Sequence, residues 1–537
     1  MDRKGINFIL LSGGLIAAVF ICYLLRWYIF DLPFSSTQQF NYPSYAITDN
    51  DSNIYVIDTS LRRVVKLDGQ GRLLFVIEGG RREEGTFFYA ADLAVDNEGN
   101  LYVLNWLHDE GGFHVEKEEI LQYSSDGQFR QIVYSRPYKD RTSTRVQRGQ
   151  LNALSFIDDK ISWFDIASDS VTRFIFDNKT GSVKETAVLS YPEANIFVAD
   201  VAVATDTKWA VVNKKGQITL HDLTGNSSAG LYNADDNLSE DISVPLMVEA
   251  DAGGGLYYSD IGTGTIQGLG DKQGYIFSDE SLKKAGYDVQ DMVYYRFDIN
   301  GDVLTTINDY GVVQTGIDGT VINYYDSIRI PFHELALKLL SYFMLAAVLM
   351  LLVLVLRHVY LYMFQRTVPP VLINALSILF VIGVTTLLVV TVVLKNFAAR
   401  YTNSLLEKTQ QMAQLIPQTV DGDLFHQIQS RDDYMGDAYR EVRASLHEAL
   451  NENMDPWNDR YYFVLYSVIN EKLYGMMYLN DRISMYHPFN YYEETEGAYR
   501  LAHNGEISAE TDTDNWGTWI YAVSPIRDSK GKVVALL

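Results

Sequence analysis

The sequence has a single cysteine, Cys22, and it lies inside an apolar run. One thiol can build neither a disulfide framework nor a cysteine-based metal site. Basic charge is scarce as well: 44 Lys and Arg stand against 68 Asp and Glu, a formal net charge of −24. Like-charge repulsion therefore excludes nucleic acid as a partner of the soluble parts. Histidine is thin, and between the first and second apolar runs only His108, His114, His221 and His333 occur. No Ser/His/Asp or metal constellation has an interpretable spacing, and the turn-rich "GLGDKQG" lacks the Lys-Ser/Thr ending of a phosphate loop. No catalytic residue, metal or cofactor is expected.

Three runs are long and apolar enough to cross a bilayer, which takes about 20 helical residues: residues 6–25, 335–356 and 371–394. The first exceeds the usual apolar core of a signal peptide, and no small-x-small cleavage site follows it, so it reads as an uncleaved anchor. Arg3 and Lys4 precede it, and the connector "RHVYLYMFQRTVPP" carries Arg357 and Arg366 without an acid. Both read as cytoplasmic. The expected layout is a cytoplasmic tip and first span over 1–30, an exterior region over 31–330, spans over 333–357 and 371–394 joined by a cytoplasmic connector at 358–370, and a second exterior region over 395–537. That describes a multi-pass plasma-membrane protein with both large regions extracytoplasmic.

Tyrosine is abundant, with 37 copies, and some of it recurs in register. "ADLAVDNEGNLYVLN" at 91–105 repeats "YAITDNDSNIYVID", with Asp49 matching Asp96, Asn53 matching Asn100 and Tyr55 matching Tyr102. "VEADAGGGLYYSD" continues the register with Asp251, Tyr257 and Asp260, and "FDINGDVLTTIN" follows with Asp298 and Gly301. The Asp can cap the turn and the Gly supplies a positive φ, so two strands meet at each copy. Weaker copies at "LSFIDDKISWFDI" and "VAVATDTKWAVVN" bring the number to six units, starting near 45, 91, 152, 199, 247 and 291. Four short strands at that period predict an all-β propeller of about six blades, whose ring must close because a lone blade cannot bury both faces.

The "D-x-x-G-N-l-Y-V-x-D" pattern with its downstream "v-x-k-x-d-x-x-G" resembles the NHL-type propeller repeat over about residues 41–326. The resemblance implies a platform for a protein, peptide or glycan. Some NHL-like propellers are metal-dependent lyases, which need several imidazoles on one metal; His108 and His114 share one loop and read as solvated. The turn acids lack the closing Glu of a calcium loop and read as turn caps.

After the third apolar run, "KNFAARYTNSLLEKTQQMAQLI" reads as a helical stalk ended by Pro417, and Tyr439, Val442, Leu446 and Leu450 share one face of a second helix. The period then changes to strands, giving an α+β domain. Residues 395–537 resemble the extracytoplasmic Cache domains of bacterial receptors, a PAS-like sheet entered through a helix from the membrane. The residues carrying this are "DGDLFHQI…DDYMGDAYREV", "YFVLYSVINEKLYGMMYLND" and the closing "GTWIYAVSPIRDSKGKVVALL". In that family the last strand leads to a further span and an output module, so the chain is expected to be the truncated sensory part of a receptor. The ligand in such domains sits against the sheet, which makes Tyr466, Tyr478, Asp481, Tyr486, Trp516, Trp519 and Tyr521 the candidate binding residues. Aromatic walls with Asp481 suit an ammonium group, and Arg482 or Arg500 would take a carboxylate, so a small extracellular amino acid or amine is the expected ligand.

The function expected from these features is that of a bacterial transmembrane receptor, a homodimer whose propeller and Cache-like domain read the exterior for a cytoplasmic cyclase, kinase or phosphatase. The alternative is a surface adhesion or scaffold protein whose propeller binds a wall polymer or protein.

Overall fold

The computed structural model describes the chain apart from residues 1–2, 32–39, 41, 60, 109–114, 139–149, 158, 226, 235–242, 288–293, 295, 309–310, 327–330, 364–369, 454–462, 470–471, 479–489, 493–497 and 515–516. Contacts divide it into two compact units, one of residues 1–35 and 328–405 and one of residues 36–327 and 406–537. In the first, all three apolar runs are helical, within Arg3–Asp31, Pro331–Met363 and Pro370–Leu415. Among the described residues only Leu339–Tyr360 is long and apolar enough to span a membrane; its mean hydropathy is 2.8 and none of it is buried. Leu11–Leu25 is a shorter apolar helix. The stretch Leu339–Tyr360 is apolar on every side and exposed, with Phe343, Met350 and Val353 each at least 60% accessible.

The second unit opens with six four-stranded antiparallel sheets, over residues 43–78, 90–137, 150–190, 198–233, 245–277 and 297–326. In each the strands pair in chain order. The first strands touch one another in sequence around a ring, and that of the sixth sheet returns to that of the first. This is a closed six-bladed propeller. Closure involves no exchanged strand, because every blade is one continuous piece of chain. Side chains close it instead. Thr48 of blade 1 hydrogen bonds Thr305 Oγ1 at 2.6 Å and accepts from Gln314 Nε2 at 2.9 Å, its carbonyl accepts from Asn300 Nδ2 at 2.7 Å, and Ile307, Val312 and Tyr325 of blade 6 bury against Ala46, Val56 and Val65.

The repeat seen in the sequence is a repeated set of bonds. Asp49 Oδ1 accepts the amides of Asp51 and Asn53, while its Oδ2 accepts from Asn53 Nδ2 and, at 3.2 Å, from the Tyr55 hydroxyl. Asp96 does the same with Glu98, Asn100 and Tyr102. Asp251 repeats it with Gly253, Gly255 and Tyr257, and adds Lys272 Nζ at 2.6 Å. Each acid fixes the turn between the first two strands and orients a tyrosine whose ring fills the space between blades. Tyr55 and Tyr102 are wholly buried. Tyr55→Ala and Tyr102→Ala should each cost about 3 kcal/mol, as large truncations in a core do. Unchanged denaturant midpoints in both variants would show that these rings do not hold the blades.

Two details depart from the expected repeat. Blade 5 ends in a two-residue outer strand, Ile276–Phe277, and continues into the short helix Asp279–Lys284 behind a Ser278 capping box. Among the described residues the first strand of blade 6 begins at Phe297, later than 291, and Tyr294 ahead of it packs on Phe277 with ring centroids 4.9 Å apart.

Behind the propeller in sequence, the helix Pro370–Leu415 stops where Pro417 enters the buried turn Ile416–Thr419. Asp421 caps Gly422–Phe425, and Asp437–Asn453 buries Tyr439, Val442 and Leu446 on one face; the side chain of Leu450 lies outside the described residues. The sheet that follows runs, edge to edge, Asn490–Tyr492, Lys472–Tyr478, Val464–Ile469, Val533–Leu536 and Pro525–Arg527. A hairpin, Ser508–Asp514 with Gly517–Val523, flanks it. This is the α+β domain that the change of period foretold.

Candidate functional site

Part of the expected ligand wall comes together. Tyr466, on Val464–Ile469, is buried and meets Tyr499 edge-on at 5.6 Å, and Tyr499 meets Tyr521 at 5.9 Å. The Tyr521 hydroxyl donates to Glu510 Oε2 at 3.3 Å. Trp519 is two residues away along the same strand and 40% exposed. Arg500 is exposed on the helix Ala498–His503, next to Tyr499. Asp481, Arg482, Tyr486 and Trp516 lie outside the described residues, as does the side chain of Tyr478. Tyr499 is a member of this aromatic row that the sequence reading passed over, since nothing in a short polar helix marks it out.

The α+β domain is packed on the propeller. Val244, Ile196, Phe197 and Ile261 of blades 4 and 5 and their connections share one hydrophobic cluster with Ile416, Phe425, Tyr434, Leu446 and Met477. Phe197 and Tyr434 meet edge-on at 5.7 Å, and the Tyr434 hydroxyl donates to the carbonyl of Ile196 at 3.2 Å. Around this apolar contact lie cations. Arg440 makes two bonds to Glu193, at 2.6 and 2.8 Å, and Lys215 Nζ donates to the carbonyl of Asp432 at 2.8 Å. Arg431, 3% exposed, donates to the carbonyl of Ser243 and lies over Gly216, where a Cβ would come within 2.3 Å of its Nη1. Gly216 sits at φ +76°, so both the turn and the arginine above it require glycine. Lys214, in the same turn, is 6% exposed. Burial, reinforced by the neighbouring Arg443, brings its ammonium down to about 7.

A second polar cluster lies on the propeller axis. The innermost strands contribute Tyr45, Asp92, Asp200, Glu249 and Asp298, and Arg296 just precedes the last of these strands. Asp92 Oδ2 accepts the amide of Leu154 in the next blade at 2.9 Å, and Asp200 Oδ2 accepts that of Val248 at 2.9 Å. Asp298 Oδ2 lies 3.4 Å from the amide of Thr48, again one blade on. Alternate blades thus reach forward with an acid to hold their neighbour's inner strand. Arg296 donates to Asp92 at 2.9 Å and to the carbonyl of Ala91 at 2.6 Å, with its guanidinium 3.9 Å from the Tyr45 ring centroid. Burial pushes Asp200 and Asp298 up to about 7, and burial with the three aspartates pushes Glu249 well up. The sequence does carry a signal for these acids, an Asp set between alanines in an otherwise apolar first strand, as in "ADLA" at 91–94 and "ADVA" at 199–202.

Among the described residues the histidines do not converge. His108 ends the strand Leu101–His108, packs on Phe88 at 5.3 Å and bonds the Trp106 carbonyl at 3.2 Å through Nδ1, so it is an ordered part of an aromatic group rather than a solvated loop residue. His221 packs edge-on against Tyr191, and His114 lies outside the described residues. Among the described residues no three acidic, histidine or cysteine side chains are placed to hold a metal ion.

No protein-family model and no curated protein matches this chain. Solved structures similar to its propeller include a virginiamycin B lyase from Staphylococcus aureus, at 9% identity over 55% of this chain and 86% of that one, with a TM-score of 0.34. A Lactobacillus plantarum protein matches at 14% identity over 53% and 84%, with a TM-score of 0.33, and the RRP9 WD40 repeats at 12% over 54% and 82%, also at 0.33. These are β-propellers of differing function; the six-bladed ring here rests on the strand order and closure described above.

Proposed function

We propose that this chain is the sensory portion of a bacterial transmembrane signalling receptor, in which an NHL-like propeller and a Cache-like domain read the exterior together. The observation that carries the reading is the shared hydrophobic cluster between propeller and α+β domain, which makes a ligand on either bear on both. Met412, in the last turn of the helix Pro370–Leu415, belongs to that cluster, and Ala413 beside it is buried. A sheet entered through a helix, with its first and last strands side by side at the centre, fits a PAS-like sensor. The aromatic row of Tyr466, Tyr499 and Tyr521, with Trp519 accessible beside it, offers a wall for a small amino acid or amine. The role is recognition, and the propeller's other partner is a protein, peptide or glycan.

Topology tests the reading. Reporters fused within 357–370 should be cytoplasmic, and reporters at Gly225 and Gly505 exterior, because Arg357 and Arg366 hold the connector inside. A cytoplasmic signal at Gly505 would overturn the receptor.

A further inference from the structure

The axis of the propeller holds more negative charge than its own residues neutralise. Arg296 is committed to Asp92 and to the carbonyl of Ala91. Asp200, Glu249 and Asp298 make no ion pair among the described residues. Asp200 is tied to Val248 N and Asn152 Nδ2, whereas no described side chain bonds the Glu249 carboxylate. Glu249 and Asp298 stay part-exposed although they lie on innermost strands, so they front an open axial space. An independent feature points into the same space. Tyr45 is 2% exposed, its ring is held under the Arg296 guanidinium, and its hydroxyl has no hydrogen-bond partner among the described residues. The charges acting on that hydroxyl are Asp92, Asp298, Arg296 and Glu249. Like charges facing one another in a narrow space cost free energy, and the Tyr45 hydroxyl stands ready to accept a hydrogen bond there. That repulsion is relieved, and the hydroxyl engaged, by one guest that brings positive charge and several N–H donors.

We propose that the axial channel of the propeller binds an organic cation, an alkylammonium whose N–H groups bond Glu249, Asp298 and the Tyr45 hydroxyl. The acids are too dispersed for a metal ion to gather three of them, whereas a chain amine can span them. This site is separate from the aromatic row on the α+β domain, and the amine need not be the same.

The test uses the full chain in detergent, with the diamine putrescine as probe and 1,4-butanediol and calcium as controls. Putrescine should bind by calorimetry and raise the melting temperature, while the diol and calcium should not. Glu249→Gln and Tyr45→Phe should each weaken putrescine at least tenfold; Tyr45→Phe keeps the ring beneath Arg296 and removes only the hydroxyl. Binding should weaken on going from pH 8 to pH 5.5, as the axial acids take up protons, and near pH 7 it should release protons to the buffer. Trp519→Ala should leave the response intact. Equal responses to the diol or to calcium, no putrescine binding, or a response lost in Trp519→Ala and kept in both channel variants would overturn the proposal.

Discussion

Arg296→Met should lower stability by about 5 kcal/mol at pH 8, because removing one partner leaves buried carboxylates without their cation, and by much less at pH 5. The guanidinium bonds Asp92 and the carbonyl of Ala91, lies over Tyr45, and is the one cation among the charges acting on Asp92 and Asp200. Asp200 and Asp298 already stand at about 7 in the folded chain, against an unfolded value of about 3.9. The folded state therefore holds more protons than the unfolded one between these values, so the stability these acids contribute at low pH is lost as pH rises through 7. Without Arg296, Asp92 and Asp200 are harder still to ionise, and the loss moves to higher pH and deepens. Denaturant unfolding of parent and variant at pH 5 and pH 8 reads this directly. An equal loss at both pH values would mean that Arg296 acts through packing on Tyr45 alone. Adding Asp92→Asn to the variant should return part of the loss, since the pair then has no charge left to orphan.

The axial cluster also shows where sequence reading stops. The blades were legible because each obeys local rules: Asp49, Asp96 and Asp251 cap turns within six residues of the tyrosines they hold. Period, turn chemistry and strand pattern agree there. Blade 5 was legible only to its third strand, since Tyr294 and the helix at Asp279 replace the expected edge by contacts that no repeat encodes. Asp92, Asp200, Glu249 and Asp298 stand about fifty residues apart or more in the sequence, and only ring closure makes them neighbours. The docking of the α+β domain was invisible for the same reason. Arg431 and Gly216 belong to different domains, and neither is unusual alone. The aromatic row was half legible: Tyr466 and Tyr521 were picked out as aromatics on central strands, while Tyr499 enters from a helix whose pattern is too short to read.

Lys214→Met should stabilise the docked unit by about 4 kcal/mol at pH 7 and by almost nothing at pH 10.5. The side chain is 6% exposed in the turn that also holds Gly216, and among the described residues no carboxylate pairs with it. The groups around it are mostly cations: Arg443 acts on it directly, and Lys215, Arg431 and Arg440 line the same contact, with Glu193 taken by Arg440 and Asp432 beside Lys215. Its folded value of about 7 lies below the unfolded value, which is about 10.4. For a lysine lowered in this way the folded state is penalised wherever the ammonium is charged. The penalty is complete well below pH 7, fades as pH rises from 7 to 10.5, and is absent above it; a gap of about 3.4 in pH at 1.36 kcal/mol each, less about 0.4 kcal/mol because half the folded ammonium is already neutral at pH 7, gives the size quoted. The parent should therefore gain stability over that interval, and Lys214→Met should show a flat profile there while keeping the fall between pH 4 and 7 that belongs to the axial acids. Thermal unfolding from pH 6 to 10.5 separates the two. A parent profile that parallels the variant across the alkaline interval would show that Lys214 is solvated and that the domains do not bury it. Because the turn touches Arg431 of the α+β domain and the charge of Arg443 acts on Lys214, the same substitution should also tighten that domain on the propeller, read as slower proteolysis between residues 406 and 436 at pH 7.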